Sequence, residues 1–185
     1  VVSPLLALQY DQTNDLNTRG IKSAALNSVT GKKETKKIMD ALADRSLKLL
    51  YVAPETLLNE DLLCFLSCDC NVVHIVIDEA HAMVESSQDF RPKYKQLGIL
   101  KEYFTDTPFT ALTATASVDD IAEVKDLLGF KDNFNRFIHD LDRPNLTWNV
   151  MRKTDEISQL LSIITRFPKR SSGLIYCNTK DKCKV

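Results

Sequence analysis

The sequence predicts an α/β fold, a mainly parallel sheet with helices on both faces. Short apolar runs alternate with longer stretches of helical spacing along most of the chain, which implies βαβ units. The apolar runs lack strict polar–apolar alternation, as strands do when helices cover both faces of their sheet. Breakers and caps fall between the runs, at Gly20, Pro54, Ser117 and Gly129.

Taken in order, residues 1–3 read as the end of a strand. Residues 5–19 read as a helix with apolar positions at Leu5, Leu8 and Leu16, stopped by Gly20. Residues 22–26 can form a short strand, and 34–43 have helical spacing through Ile38 and Leu42. A buried strand at 47–52 is closed by Pro54, a helix follows at 57–66, and 72–77 is the most apolar strand of all. Residues 93–104 read as a helix with Leu97, Leu100 and Phe104 on one stripe, and 109–112 as another strand. Ser117 caps a helix that runs to Leu128 and ends at Gly129. After Phe137 the texture changes. Residues 139–145 carry Asp142, Arg143 and Pro144 and read as a linker. A strand at 147–151, a helix at 155–166 and a strand at 173–176 then read as the opening of a second α/β domain that the chain cuts short. Starting at Val1 without methionine and stopping at Val185 without a cap, the chain reads as cut from a larger protein at both ends.

At 185 residues this is one ordinary domain, or one domain and part of a second. A hydrophobic content of 44% is enough for a real core, and a net charge of −1 supplies no global basic field, so any nucleic-acid surface must be a local patch. No apolar stretch approaches membrane-spanning length and no signal-peptide pattern is present. Five cysteines, an odd number without framework spacing, suit a reducing compartment, cytosol or nucleus. Cys64, Cys68, Cys70 and His74 form C-x3-C-x-C-x3-H, which matches no common zinc knuckle and reads as helix-end and loop thiols. Lys32, Lys33, Lys36 and Lys37 read as a solvated helix face rather than phosphate contacts, and Trp148 as packing rather than base stacking.

The chemistry gathers where the most apolar strand meets Asp78 and Glu79. In open parallel sheets, sites form at the carboxyl ends of strands. An aspartate there can hold Mg²⁺ directly or through water, and a neighbouring glutamate can orient and deprotonate a water for attack on a phosphoryl group. The alternative is a pair of solvated acids at a strand exit, and the pair alone does not choose between them.

An ordered set of motifs surrounds the pair. Asp78-Glu79-Ala80-His81 is a DEAH box; Val1-Val2-Ser3-Pro4-Leu5-Leu6-Ala7-Leu8 looks like motif Ia, Leu50-Tyr51-Val52-Ala53-Pro54-Glu55 like motif Ib, and Ala111-Leu112-Thr113-Ala114-Thr115-Ala116 like motif III of superfamily 2 helicases. Asp89-Phe90-Arg91-Pro92-x-Tyr94 is the most specific piece, and Asp142-Arg143-Pro144-Asn145-Leu146 with Gly173-Leu174-Ile175-Tyr176-Cys177 resembles the bridge and motif IV. Nearly the whole chain thus resembles the RecQ family of DNA helicases. The resemblance implies a RecA-like, three-layer αβα domain over residues 1–140, incomplete at its N-terminus and lacking a phosphate loop. Residues 141–185 would be the bridge and start of a second RecA-like domain. It implies ATP and Mg²⁺ as cofactors, and DNA, single-stranded or forked, as partner. The activity would be 3′-to-5′ unwinding in recombination and repair, in the nucleus or, in a prokaryote, the cytoplasm. Asp78 would serve Mg²⁺, Glu79 the attacking water, and His81 the link to the coupling residues Thr113, Ala114 and Thr115, of which the two threonine hydroxyls suit sensing of nucleotide state. Ser3, Pro4, Pro54, Glu55, Phe90 and Arg91 would face DNA. For Thr113 and Thr115, strand propensity is the better account without the family.

Two departures stand out. No G-x-x-x-x-G-K-[ST] occurs; Gly31-Lys32 is followed by Lys33 where Ser or Thr belongs, and no glycine lies five residues before Gly31. Where the family's aromatic-rich loop typically reads C-x-S-x-W-G-H-D-F-R-P, this chain has Ser86, Ser87 and Gln88 at the tryptophan, glycine and histidine places. A base-stacking face is lost there. That motivates a second reading, a relative that binds nucleic acid or a partner without productive unwinding. A third, an RNA helicase of the wider DEAH group, sits badly with the D-F-R-P-x-Y stretch.

Overall fold

The computed structural model describes residues 1–84, 92–139, 142–179 and 181–184, which fall into two compact units, Val1–Asn135 and Arg136–Val185.

The first unit is built on parallel strands. β1 (Ser23–Leu26) pairs with β2 (Leu49–Val52), and β3 (Ile75–Ile77) pairs with β4 (Phe109–Ala111). Val2 joins the two pairs, bridging Val52 on one side and Ile77 on the other. Its N–H donates to Val76 O at 2.7 Å, its carbonyl accepts from Asp78 N at 2.9 Å, and Ser3 N donates to Val52 O at 3.1 Å. The order across the sheet is therefore β1–β2–Val2–β3–β4. The expected strand end at residues 1–3 lies in the middle of the sheet, and every strand delivers its carboxyl end to the same edge.

The helices follow the expected spacing with informative exceptions. α1 (Leu6–Thr18) buries Gln9 and Thr13, whereas Leu5 is exposed and Leu8 and Leu16 are only half-buried. The apolar stripe expected for this helix is thus not its inward face. α2 (Lys32–Ala43) buries Ile38 and leaves Lys32, Lys33, Lys36 and Lys37 exposed, as a solvated face should. The helix expected at 57–66 is broken. α3 (Pro54–Leu57) stops at Leu58, and Asn59 caps α4 (Glu60–Cys64) by accepting from Leu62 N at 3.1 Å. A wider turn, Phe65–Asp69, continues it.

The strand expected at 72–77 shrinks to β3, because Val73 is 70% exposed and has no core to face. The helix expected at 93–104 is continuous but changes pitch, through α5 (Pro92–Lys95), a 3₁₀ segment Gln96–Ile99 and α6 (Leu100–Tyr103). Its stripe is buried as expected, Leu97 and Leu100 completely and Phe104 nearly so. Gly98 lies in that segment because a Cβ there would meet Leu127 O at 2.8 Å. α7 (Val118–Leu127) opens with a capping box: Ser117 Oγ accepts from Asp120 N at 3.1 Å while Asp120 Oδ2 accepts from Ser117 N at 2.7 Å. Gly129, at φ +60°, ends the run in the left-handed region that favours glycine.

One continuous core ties these elements together. Ile77, Met83, Leu97, Leu100 and Leu128 are completely buried within it. A side chain of this kind contributes roughly 1.5–3 kcal/mol when fully buried.

The second unit contains α8 (Glu156–Ile164), capped by Asp155, close to the expected 155–166. The strands expected at 147–151 and 173–176 are not formed. A strand needs a neighbour to complete its ladder, and none lies beside them among the described residues. Trp148, Val150, Leu174 and Tyr176 are exposed, so Trp148 does not take the packing role expected of it.

Candidate functional site at the carboxyl edge of the sheet

The sheet topology sets β3 near the centre, beside Val2 on one side and β4 on the other. Asp78 and Glu79 follow directly, so their carboxylates emerge where three strands deliver their carboxyl ends. Asp78 is held from several directions. Its Oδ2 accepts from Ser3 Oγ at 3.1 Å, its Oδ1 accepts from Glu79 N at 3.0 Å, and its backbone carbonyl accepts from Tyr94 Oη at 2.9 Å. Buried Tyr51, on β2, feels the same charge: burial first, and the Asp78 carboxylate second, push its phenol up.

Glu79 adopts the left-handed conformation, φ +51° and ψ +46°. For a residue with a Cβ this costs about 1–3 kcal/mol and persists only where the surroundings over-determine it. Here Ala80 N donates to Leu112 O at 2.8 Å, anchoring the next residue to the end of β4, and the segment Ala80–Met83 coils into a 3₁₀ turn. The kink takes the chain off the sheet axis and leaves the Glu79 side chain one-third exposed.

His81 joins the two strand ends. Its Nδ1 lies 3.3 Å from Glu79 Oε2 and 2.8 Å from Thr113 Oγ1. Thr113 Oγ1 donates to Thr115 O at 3.1 Å and accepts from Thr115 N at 3.2 Å. A hydroxyl has one proton. With that proton on Thr115 O, Thr113 accepts from a His81 Nδ1–H, which fixes the tautomer. Asp78, Glu79, His81, Thr113 and Thr115 thus form one connected cluster, with Ala114 in the turn between the threonines. Asp120, at the start of α7, has its carboxyl held below the usual range by the Ser117 hydrogen bonds first, with a smaller contribution from His81.

The residues expected to face DNA are dispersed. Ser3 is fully buried with its hydroxyl spent on Asp78, and Pro54 is fully buried at the start of α3, so neither has surface for a phosphate. Both expectations are corrected by burial: Ser3 orients the acid, and Pro54 starts a helix turn. Pro4 is half-buried and Glu55 exposed. Phe90 and Arg91, like Ser86, lie outside the described residues. Cys64 and Cys68 are exposed and Cys70 half-buried. The described residues hold no group of three or more metal-ligating side chains.

Sequence reasoning missed the support behind Asp78. Gln9 is completely buried on α1; its Nε2 donates to Ser3 O at 2.7 Å and its Oε1 accepts from Asn27 Nδ2 at 2.9 Å. Asn27 in turn closes the turn after β1, its Oδ1 accepting from Val29 N at 3.2 Å. A glutamine followed four positions later by a threonine, Gln9 and Thr13, marked a polar inward face. The louder leucine pattern of α1 concealed it.

The donor set suits a hard cation. Each Asp78 oxygen already accepts one hydrogen bond and keeps a further lone pair. One carboxylate is what Mg²⁺ uses when it retains waters and takes its remaining ligands from substrate phosphates. For the phosphates themselves the chain has no glycine-rich cradle.

Known proteins give this geometry its context. The sequence profile of the DEAD/DEAH box helicases matches residues 1–124. The ATP-dependent DNA helicase RecQ of Haemophilus influenzae is 38% identical over 98% of this chain and 29% of its own length. The ATP-dependent DNA helicase Q-like 2 of Arabidopsis thaliana is 34% identical over all of this chain and 28% of its own length. The ATP-dependent DNA helicase hus2/rqh1 of Schizosaccharomyces pombe is 33% identical over all of this chain and 14% of its own length. The chain spans less than a third of each of these relatives. It belongs to the DEAD/DEAH box helicases, within their RecQ family, and its parallel α/β unit is the RecA-like domain of that family.

Proposed function

We propose, from that membership, that the chain supplies the hydrolytic edge of a 3′-to-5′ DNA helicase motor driven by ATP. One observation carries the reading. Glu79 is forced into a left-handed kink at the end of a central strand, beside an aspartate whose carboxylate is already oriented, and is linked through His81 to Thr113. Backbone strain of this kind at a strand's carboxyl end serves to aim a side chain.

In this reading Asp78 would hold Mg²⁺, directly or through water, and the ion would supply positive charge to the phosphates. Glu79 accepts the proton of the attacking water. His81 Nδ1–H, shared between Glu79 and Thr113, makes the acid's position depend on the threonine turn. That turn is where a change of nucleotide state would be felt. Residues 1–140 would form the ATP-binding domain and 141–185 the bridge and start of the second. DNA would be met by Pro4, Glu55, Phe90 and Arg91. The compartment would be the nucleus in a eukaryote and the cytoplasm in a bacterium.

Full-length protein carrying Glu79→Gln should lose hydrolysis by about 10²–10⁴-fold, the usual worth of a positioned base, while still binding nucleotide. Asp78→Ala should instead weaken Mg²⁺-dependent binding. Equal loss of binding in both variants would refute this division of roles. The 185-residue chain alone, without a phosphate cradle, should show negligible Glu79-dependent turnover.

A second reading, nucleic-acid binding without productive unwinding, is favoured by Ser86 standing at the tryptophan place of the family's typical loop pattern. If the altered loop weakens coupling, DNA stimulates the parent only slightly and Ser86→Trp raises that stimulation. Strong stimulation of the parent would remove the second reading.

A further inference from the structure

Resting on the reading of Glu79 as the group that handles the attacking water, we propose that Tyr94 is a positioning residue for the acidic strand end, acting through a single peptide bond. That bond joins Asp78 to Glu79. Its carbonyl oxygen accepts from Tyr94 Oη at 2.9 Å, and its N–H donates to Asp78 Oδ1 at 3.0 Å. Side chains therefore grip both polar atoms of the peptide plane.

The orientation of this plane fixes ψ of Asp78 and φ of Glu79, and the latter is +51°. A flip of the plane would carry φ of Glu79 back to negative values, release the strain and break both hydrogen bonds. The backbone that carries the Glu79 carboxylate beside His81 would then no longer be held in one conformation. The strained conformer is thus a latched state, and the tyrosine hydroxyl is half of the latch.

Packing alone does not require that hydroxyl. Tyr94 is completely buried among core side chains, and phenylalanine would fill nearly the same volume. What the hydroxyl adds is a bond to a backbone group 16 residues earlier. Tyr94 stands on α5, which begins at Pro92. Any displacement of that short helix acts directly on the peptide that aims Glu79.

The test compares full-length parent, Tyr94→Phe and Glu79→Gln, with kcat read per folded molecule well below the melting temperature. Tyr94→Phe should lower kcat for ATP about tenfold or more, on the scale at which small misplacements of reacting groups reduce rates, with KM for ATP within about twofold of the parent. Backbone amide exchange at Glu79 should quicken while that at Ile77 stays protected. A merely structural tyrosine would lower the melting temperature and leave kcat per folded molecule and Glu79 exchange unchanged, which would overturn the proposal. If Glu79→Gln hydrolyses ATP like the parent, the catalytic reading of the site falls, and this inference with it. If Glu79→Gln is inactive and Tyr94→Phe is normal, the latch alone falls.

Discussion

At the carboxyl ends of the strands, Ser3, Gln9, Asn27, Asp78 and Tyr94 are polar, largely buried and joined to one another by hydrogen bonds. At the amino ends of the same strands, Leu49, Val72, Ile75, Leu100 and Phe104 line an apolar cavity. One sheet thus has one end built for orientation and one for adhesion. A buried polar group stabilises little when paired and costs a great deal when its partner is lost. An apolar group contributes in proportion to the area it hides. Substitutions at the amino end should therefore register as stability, and those at the carboxyl end as geometry.

The sharpest way to break this contrast is Leu100→Ala. Leu100 is completely buried and lines the cavity, so the change should cost about 2–5 kcal/mol in denaturant unfolding. Nucleotide turnover per folded molecule should be unaffected. A loss well under 1 kcal/mol would show that the cavity wall collapses freely and that adhesion does not reside there.

Gln9→Leu should cost less stability, about 1–3 kcal/mol for each buried group left unpaired, and more function. The Ser3 carbonyl and the Asn27 amide both lose their partner. Ser3 then no longer presents its hydroxyl firmly to Asp78, and Mg²⁺-dependent nucleotide binding should weaken with it. Adding Asn27→Leu should recover part of the stability but none of the binding. Additive behaviour in that double-mutant cycle would show that the network is not one unit.

The smallest effect is expected at Ser117→Ala, about 1 kcal/mol for a lost N-cap. The same cap carries a pH signature. Ser117 holds the Asp120 carboxyl below its ordinary value. That contribution is complete above the unfolded-state pKa and fades as pH falls through the depressed folded one. The larger cause is the Ser117 backbone N–H, which alanine keeps, so Ser117→Ala should stay offset from the parent into acid, whereas the Asp120→Asn curve should converge with the parent in acid and stay apart at neutral pH. Asp120→Asn and parent curves that remain parallel into acid would remove Asp120 from the account.

The legible parts of this molecule were those where periodicity and burial coincide. Ile38, Leu97, Leu100 and the Ser117 cap declared themselves, and the parallel architecture followed from the alternation of runs. The DEAH residues were legible as a set through the ordered motifs around them, since an acid pair at the end of an apolar strand does not decide alone. Three features were not. The polar face of α1 was masked by leucines that turn outward or only partly inward, because the groups it meets, Ser3 and Asn27, are themselves polar. The break before α4 follows from Asn59 competing for the backbone as a cap, which helical spacing does not reveal. The strands expected at 147–151 and 173–176 depend on neighbours, and a strand's pattern carries no information on whether a neighbour is there. The left-handed Glu79 belongs to the same class. Its neighbours in the fold, Tyr94, Leu112 and Asp78, bond the backbone on either side of it, and nothing in the residue itself announces them.

The single-residue bridge at Val2 has a consequence for how the chain comes together in time. β2 and β3 are not paired with each other; Val2 stands between them. The hydrogen bond that follows from its placement, Ser3 to Asp78, spans 75 positions. The segment synthesised early is therefore the keystone, and it cannot be set until both flanking strands exist. Until then only the β1–β2 pair is present, too small to persist alone and with its inner edge open. Closing loops of this length slows assembly far more than it weakens the finished fold. Asp78 and Glu79 follow both flanking strands in the chain, so during synthesis the keystone can be set only when the acids themselves have been made.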